Sequence, residues 1–492
     1  MSLFDLAFPQ SLPDHRAARA DLRESLEEPI QYSFSFPVAR WLARRCPGEL
    51  SIDWDEIDDT SRLDELLTQL LLPAEDEYFD SGWVSSREWI DLVRIGSDGT
   101  DFDWLMAQLT DKRQQRVWAQ LYDAAEIPLV WDVADSRYSK HRNVLVRVDV
   151  YTREAGMRKR PRTPKADIRR PLKVMRLPVG DGTRLIDIAM ASLAVRYRET
   201  YHFNHANPHE VYLAYVGKGV SVAIFGLLPE HRFALECTMG YLVLSNGVPI
   251  GYGGSSALFK QVNTGVNIFD DFRGSEAAFL WTQVMRVYHS LTGCTRFIAN
   301  DYQFGGDNTE ALKSGAFWFY YRLGYRPIAA DIRKLAQREF TKIRRDRSYR
   351  SNIKTLRKLA SCDMHLTLPG ARASEYFDER WFDTYSMLAT EILGRAGGRT
   401  RAGSAQRVAD TVAREVGLRS RDRWTPQQRR AFAAIAPIVA AAEPASWSLA
   451  DKRSLRRLLE AKGGDYEARY AWRLGAHDKL LISLKNACKH AE

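Results

Sequence analysis

Residues 267–286 read NIFDDFRGSEAAFLWTQVMR. The run Thr264–Phe269 is apolar and of strand length, and it closes on Asp270, Asp271 and an Arg-Gly-Ser turn. From Glu276 to Leu291 the apolar residues recur at helical spacing. A strand that passes through a tight turn into a helix leaves unpaired N–H groups at the positive end of the helix dipole, a natural place for an anion. Upstream, Arg184–Tyr201 reads as an amphipathic helix, and Val220–Leu228 and Phe233–Cys237 are apolar runs of strand length. Met239–Ser245 and Val248–Phe259 read as strands joined by Asn246-Gly247, since both positions tolerate the positive φ of a two-residue hairpin. Gly251, Gly253 and Gly254 in the return strand predict a bulge or a close backbone approach. Downstream, Cys294–Ala299 is a strand and Asn308–Leu323 a helix with five successive aromatics, Phe317 to Tyr321. Gly324 stops that helix, and Tyr325–Ile328 starts a further strand.

Taken in order, three segments resemble the GNAT superfamily of acyl-CoA-dependent acyltransferases. NGVPIGYGG (246–254) is similar to the family's central hairpin, 267–286 to its signature strand, turn and cofactor helix, and SGAFWFYYRLGYRP (314–327) to the ending of its next helix. The resemblance implies an α/β (α+β) fold, a GNAT-like mixed central sheet flanked by mainly helical N- and C-terminal domains. The expected divisions are 1–150 (helical, acidic), 151–178 (basic linker), 179–335 (GNAT-like) and 336–492 (basic, helical).

The resemblance also implies acyl-CoA (acetyl-CoA) as co-substrate, held at the turn by Phe272, Arg273, Gly274, Ser275, Ala277 and Ala278. Tyr320 stands four before Gly324, where the family often places the acid that protonates the departing thiolate, with Tyr321 behind it. A phenol with an ordinary pKa near 10 can donate that proton. Glu236 and Asp270 are the candidate bases toward an amine acceptor. Two positions depart from the pattern. Glu276 replaces a glycine of the turn, so either its like charge points away from a phosphate or the turn does not hold CoA in the usual manner. Lys313 stands where the family has an Asn, and Asn308 is displaced.

The flanks differ in charge. Residues 1–130 carry 12 Lys+Arg against 26 Asp+Glu, whereas 331–492 carry 33 against 19. The two ends could attract each other, or the basic end could meet RNA. Arg153–Arg176 holds ten Lys/Arg, two acids and three prolines, and reads as a linker or mobile basic loop. Ser61–Leu67 and Phe102–Leu121 read as helices, Ile127–Trp131 and Asn143–Val150 as strand material, and Thr425 and Ser448 as helix caps. The sequence from Tyr201 to Glu210, with His202, His205 and His209, reads as a loop without a zinc-site spacing, so no metal is expected. The five cysteines are scattered, no leader pattern opens the chain and no run of 18 uncharged apolar residues occurs, which predicts a cytoplasmic protein with no membrane span.

Three functions follow as expectations. The first is N-acyl transfer from acyl-CoA to an amine. The second is aminoacyl or peptidyl transfer from charged tRNA on the same fold, with nucleic acid held by the basic linker and C-terminal region. The third is a non-catalytic module of that fold, since a fold does not fix a function.

Overall fold

The computed structural model describes residues 2–14, 28–80, 82, 84–134, 136–145, 148–273, 276–418 and 421–491. The protein is of mixed α/β class, and the chain forms two compact units. The first unit comprises Met1–Val148, Arg184–His205 and Gly247–Pro249. Its sheet has three antiparallel strands, with β3 (Leu129–Trp131) between β1 (Ile30–Tyr32) and β2 (Leu50–Ile52). Asp187 accepts the Trp41 indole N–H at 2.8 Å and ion-pairs with Arg45 at 3.1 Å. Asn143 donates to Ile188 O at 2.9 Å and to Ser192 Oγ at 3.0 Å. These bonds explain why Arg184 onward belongs to this unit.

The second unit comprises Asp149–Thr183, Ala206–Asn246 and Ile250–Glu492. Its strands are β4 (Met175–Arg176), β5 (Ala206–Gly217), β6 (Val220–Leu227), β7 (Cys237–Ser245), β8 (Val248–Leu258), β9 (Gln261–Thr264), β10 (Asn267–Ile268), β11 (Arg296–Ala299), β12 (Arg326–Pro327) and β13 (Met364–Thr367). They make one sheet in the order β12-β13-β11-β9-β8-β7-β6-β5-β4, with β10 also on β8. The pairing of β9 with β11 is parallel, as a strand–helix–strand crossover requires. The crossover is the helix Ala277–Thr292, whose residues from Phe279 to Tyr288 are all buried. A helix covered all round needs its polar groups satisfied inside. Gln283 accordingly donates to Asp167 at 2.7 Å, and Arg286 donates to the carbonyls of Arg170 (3.1 Å) and Pro171 (2.7 Å).

Those partners lie in the basic stretch, so Arg153–Arg176 is no mobile linker. It forms a 3-10 turn (Arg153–Ala155), a short helix (Pro164–Ile168) and the outer strand β4. Its composition builds no core of its own; Ile168 is buried against elements supplied by the rest of the unit. Other expectations change as well. Phe233–Leu235 joins no strand, and β7 begins at Cys237. Tyr201–Glu210 contains a short helix (Tyr201–Asn204) and the start of β5. Asn143–Val150 contains no strand among its described residues. Asn308–Leu323 breaks at Gly315, whose φ of +68° ends one helix and begins the next. The stretch after 336 is helical except for β13, which inserts between β11 and β12. The Asn246-Gly247 turn has the expected positive φ values, 50° and 83°. Thr425 and Ser448 cap helices as predicted. Among the described residues no helix is long and apolar enough to cross a membrane.

Candidate active site at a gap in the sheet

The signature strand keeps one register against β8 throughout. Ser255 faces Thr264, and Asn267 faces Tyr252, so the two pairs are three positions apart on each strand. Ladder pairing lapses only between them, at Gly265-Val266. Two phenols occupy the lapse. The Tyr241 hydroxyl donates to Gly265 O and accepts the Asn267 N–H. The Tyr320 hydroxyl accepts the Val266 N–H. Two glycines here have no room for a side chain, one against a phenol and one against an amide. A Cβ at Gly253 would lie 2.6 Å from the Tyr241 hydroxyl, and one at Gly265 would lie 2.2 Å from Gln303 Oε1. The close approach expected of the GYGG run is therefore real, and a phenol causes it.

On its other edge the same strand pairs with β11 from Gln261↔Arg296 to Asn263↔Ile298 and no further. Beyond that point residues 264–268 stay with β8 while β11 ends at Ala299. Asn300, the next residue, has its side-chain oxygen buried with no hydrogen-bond partner among the described residues. Tyr320 itself is packed by Phe304, Phe319 and Tyr325 at ring separations of 5.3–5.9 Å. Burial pushes its phenol above the ordinary value, so it carries its proton at neutral pH. One oxygen lone pair is engaged by Val266, and the O–H remains a donor.

A cluster of carboxylates begins two residues before the gap. Asn263 donates to Glu379 Oε2 at 2.9 Å. Ser256, opposite Asn263 on β8, donates to Glu236. Burial pushes the Glu379 carboxyl up to about 7, with the negative charges of Asp363, Glu236 and Asp378 adding to it and the Asn263 bond opposing it. Glu236 is raised by burial, against the pull of Ser256 and Lys462. Asp363 is raised by burial and then by Asp301. Carboxylates crowded into a half-buried space favour a cation, and a carboxyl near 7 suits a general base at neutral pH.

The residues expected from the sequence divide between this place and others. Tyr320 is at the gap and Glu236 is in the carboxylate cluster. Asp270 is not: its side chain is 66% exposed and ion-paired with Arg273 at 2.8 Å. Arg273 also pairs with Glu310 at 3.1 Å, and Phe272 is core. Gly274 and Ser275 lie outside the described residues. Ala277 and Ala278 open the crossover helix, half-buried, behind Glu276 at the N-cap. Glu276 makes no side-chain bond to the helix. Its carboxylate instead accepts from the Arg158 backbone at 2.7 Å and from the Arg158 guanidinium at 2.9 Å. The like charge is thus paired with Arg158 and makes no contact with the helix end as a cap. Sequence reasoning missed Glu379, Asn263 and Tyr241. The only signal for Glu379 was a pair of acids among aromatics in Tyr376–Phe382.

The chain matches no protein-family model, and no curated protein and no solved structure is similar to it.

Proposed function

We propose that the protein is an acyltransferase resembling GNAT enzymes, which moves an acyl group from acyl-CoA to an amine acceptor. The observation that carries this reading is the placement of a raised carboxyl, Glu379, and a protonated phenol, Tyr320, at the two ends of one short stretch, Asn263–Val266. The thioester supplies the activated acyl group. Glu236, Glu379 and Asp363 attract the acceptor as its ammonium form, and Glu379 Oε takes a proton from the nitrogen so that its lone pair can attack. The lapse in the ladder at Gly265-Val266 is where the Tyr320 hydroxyl enters, and it brings that phenol beside the reacting carbonyl. Tyr320 Oη gives its proton to the departing sulfur and is held for that by Val266. The start of the helix Ala277–Thr292 would take the phosphates. Free cysteines, five in all, accord with a reducing cytoplasm.

The test is the melting temperature in acetyl-CoA and longer acyl-CoAs. Ligand at 100 times its Kd stabilises the native state by about 2.7 kcal/mol. A rise that saturates supports the reading; no shift with any acyl-CoA overturns it.

A further inference from the structure

A second place in the second unit gathers charge of the opposite sign. A cavity of about 510 Å³ is lined by Arg160, Lys165, Arg322 and Arg326, with Tyr321 and Phe340. No carboxylate lines it, and among the described residues none of these four cations is ion-paired. Two of them, Arg326 and Arg160, are nevertheless held in place. Arg326 donates to the carbonyls of Tyr321 (2.9 Å) and Tyr325 (2.6 Å) and lies over the Tyr321 ring at 4.1 Å. Arg160 donates to Arg322 O at 3.0 Å. Gly324, at a φ of +107°, turns the chain so that a Cβ there would lie 3.7 Å from Lys165 Cε. Lys165 is pulled below the ordinary lysine value by burial and then by the like charge of Arg326.

Each guanidinium bonded to a carbonyl keeps further N–H groups for a ligand. A phosphate fits that arrangement, since it is compact, charged and rich in acceptors. The positive charge also continues past the cavity. Phe340 sits on the helix Ala330–Arg345, whose Arg333, Lys334, Arg338, Arg344 and Arg345 are exposed, whereas its Lys342 is paired with Glu339 at 2.7 Å. A free nucleotide needs the cavity alone, whereas a chain of phosphates uses the cavity and the helix together.

We infer that this cavity and helix form a binding site for the phosphate backbone of single-stranded RNA. The inference does not rest on the acyl-transfer reading; it uses none of the same side chains. The experiment measures binding of the full chain to a fluorescent oligouridylate between 50 and 200 mM salt, with ATP as a second probe. With four phosphates engaged on a single strand, affinity falls about 50-fold across that range. Lys165→Gln and Arg322→Ala each lower the slope of log K against log salt by about 0.7. Lys165 is half-buried and Arg322 is exposed, so at least the second variant keeps the fold, as its melting temperature checks. Absence of RNA binding overturns the inference, as does binding of ATP without RNA. Salt-dependent RNA binding that neither variant changes overturns the placement.

Discussion

The pair Arg158–Glu276 offers a perturbation whose size follows from its surroundings. The Arg158 side chain is 1% exposed and that of Glu276 is 11% exposed, with 2.9 Å between them. Among the described residues Arg158 also donates to Lys218 O at 2.8 Å and to Ser245 Oγ at 3.0 Å, both neutral. Glu276→Ala removes the countercharge and leaves a buried guanidinium. Breaking a buried ion pair from one side costs about 3–5 kcal/mol. The neutral acceptors that stay with Arg158 and the partial exposure of Glu276 set the cost at the low end, about 3 kcal/mol. Because the pair ties Arg158 to the N-cap of Ala277–Thr292, the loss falls on that helix. Hydrogen exchange reads it: 3 kcal/mol is about two decades in the exchange rate of amides that open with the helix. Replacing both partners, as Arg158→Met with Glu276→Gln, restores most of the protection because no unpaired charge remains. If Glu276→Ala changes exchange in Phe279–Tyr288 by less than about threefold, the pair is not a buried ion pair in the sense argued here.

Three other outcomes are expected. With the Glu379 carboxyl pushed up to about 7, activity on the unprotonated branch rises with pH through about 7 and then levels, and Glu379→Gln removes that limb from the profile. The same group binds its proton more tightly folded than unfolded, so its stabilisation is complete below the ordinary 4.5 and lost as pH rises through about 7; the variant's melting temperature relative to wild type is therefore higher at pH 8 than at pH 5. Gly253→Ala drives a Cβ to 2.6 Å from the Tyr241 ring, and such overpacking costs about 1–3 kcal/mol in chemical denaturation. In the native protein a thiol reagent modifies Cys362 first, because Cys46, Cys237, Cys294 and Cys488 are buried; mass mapping of early adducts on any of those four contradicts this.

What the sequence made legible was local. The Asn246-Gly247 hairpin, the strand-to-helix passage at 264–292 and the stop at Gly324 each rest on a few adjacent residues with one favourable conformation. The rest depends on distant partners. β5 opens on Asn207, His209 and Glu210, which look like loop residues until Arg232 is seen to meet Glu210 at 3.0 Å in the interior. β13 is only Met364–Thr367, too short to signal itself between basic helices, yet it fills a place in the sheet between β11 and β12. Arg158 is one cation in a run of ten until Glu276 explains why it is buried. At the candidate site the phenol was readable from its distance to Gly324, but Glu379 was not, since 116 residues separate it from Asn263.

The central claim is that Glu379 and Tyr320 act on one acyl transfer across the gap at Gly265-Val266. It is tested most directly by mass detection of an acetylated amine formed from acetyl-CoA, offered a polyamine and a set of primary amines. Glu379→Gln and Tyr320→Phe are run beside the wild type at matched folding. The account predicts product from the wild type and rates lower by about 10²–10⁴ in each variant, the range for loss of a general base or acid. Product formed at the wild-type rate by both variants, or none from the wild type with any amine, contradicts it.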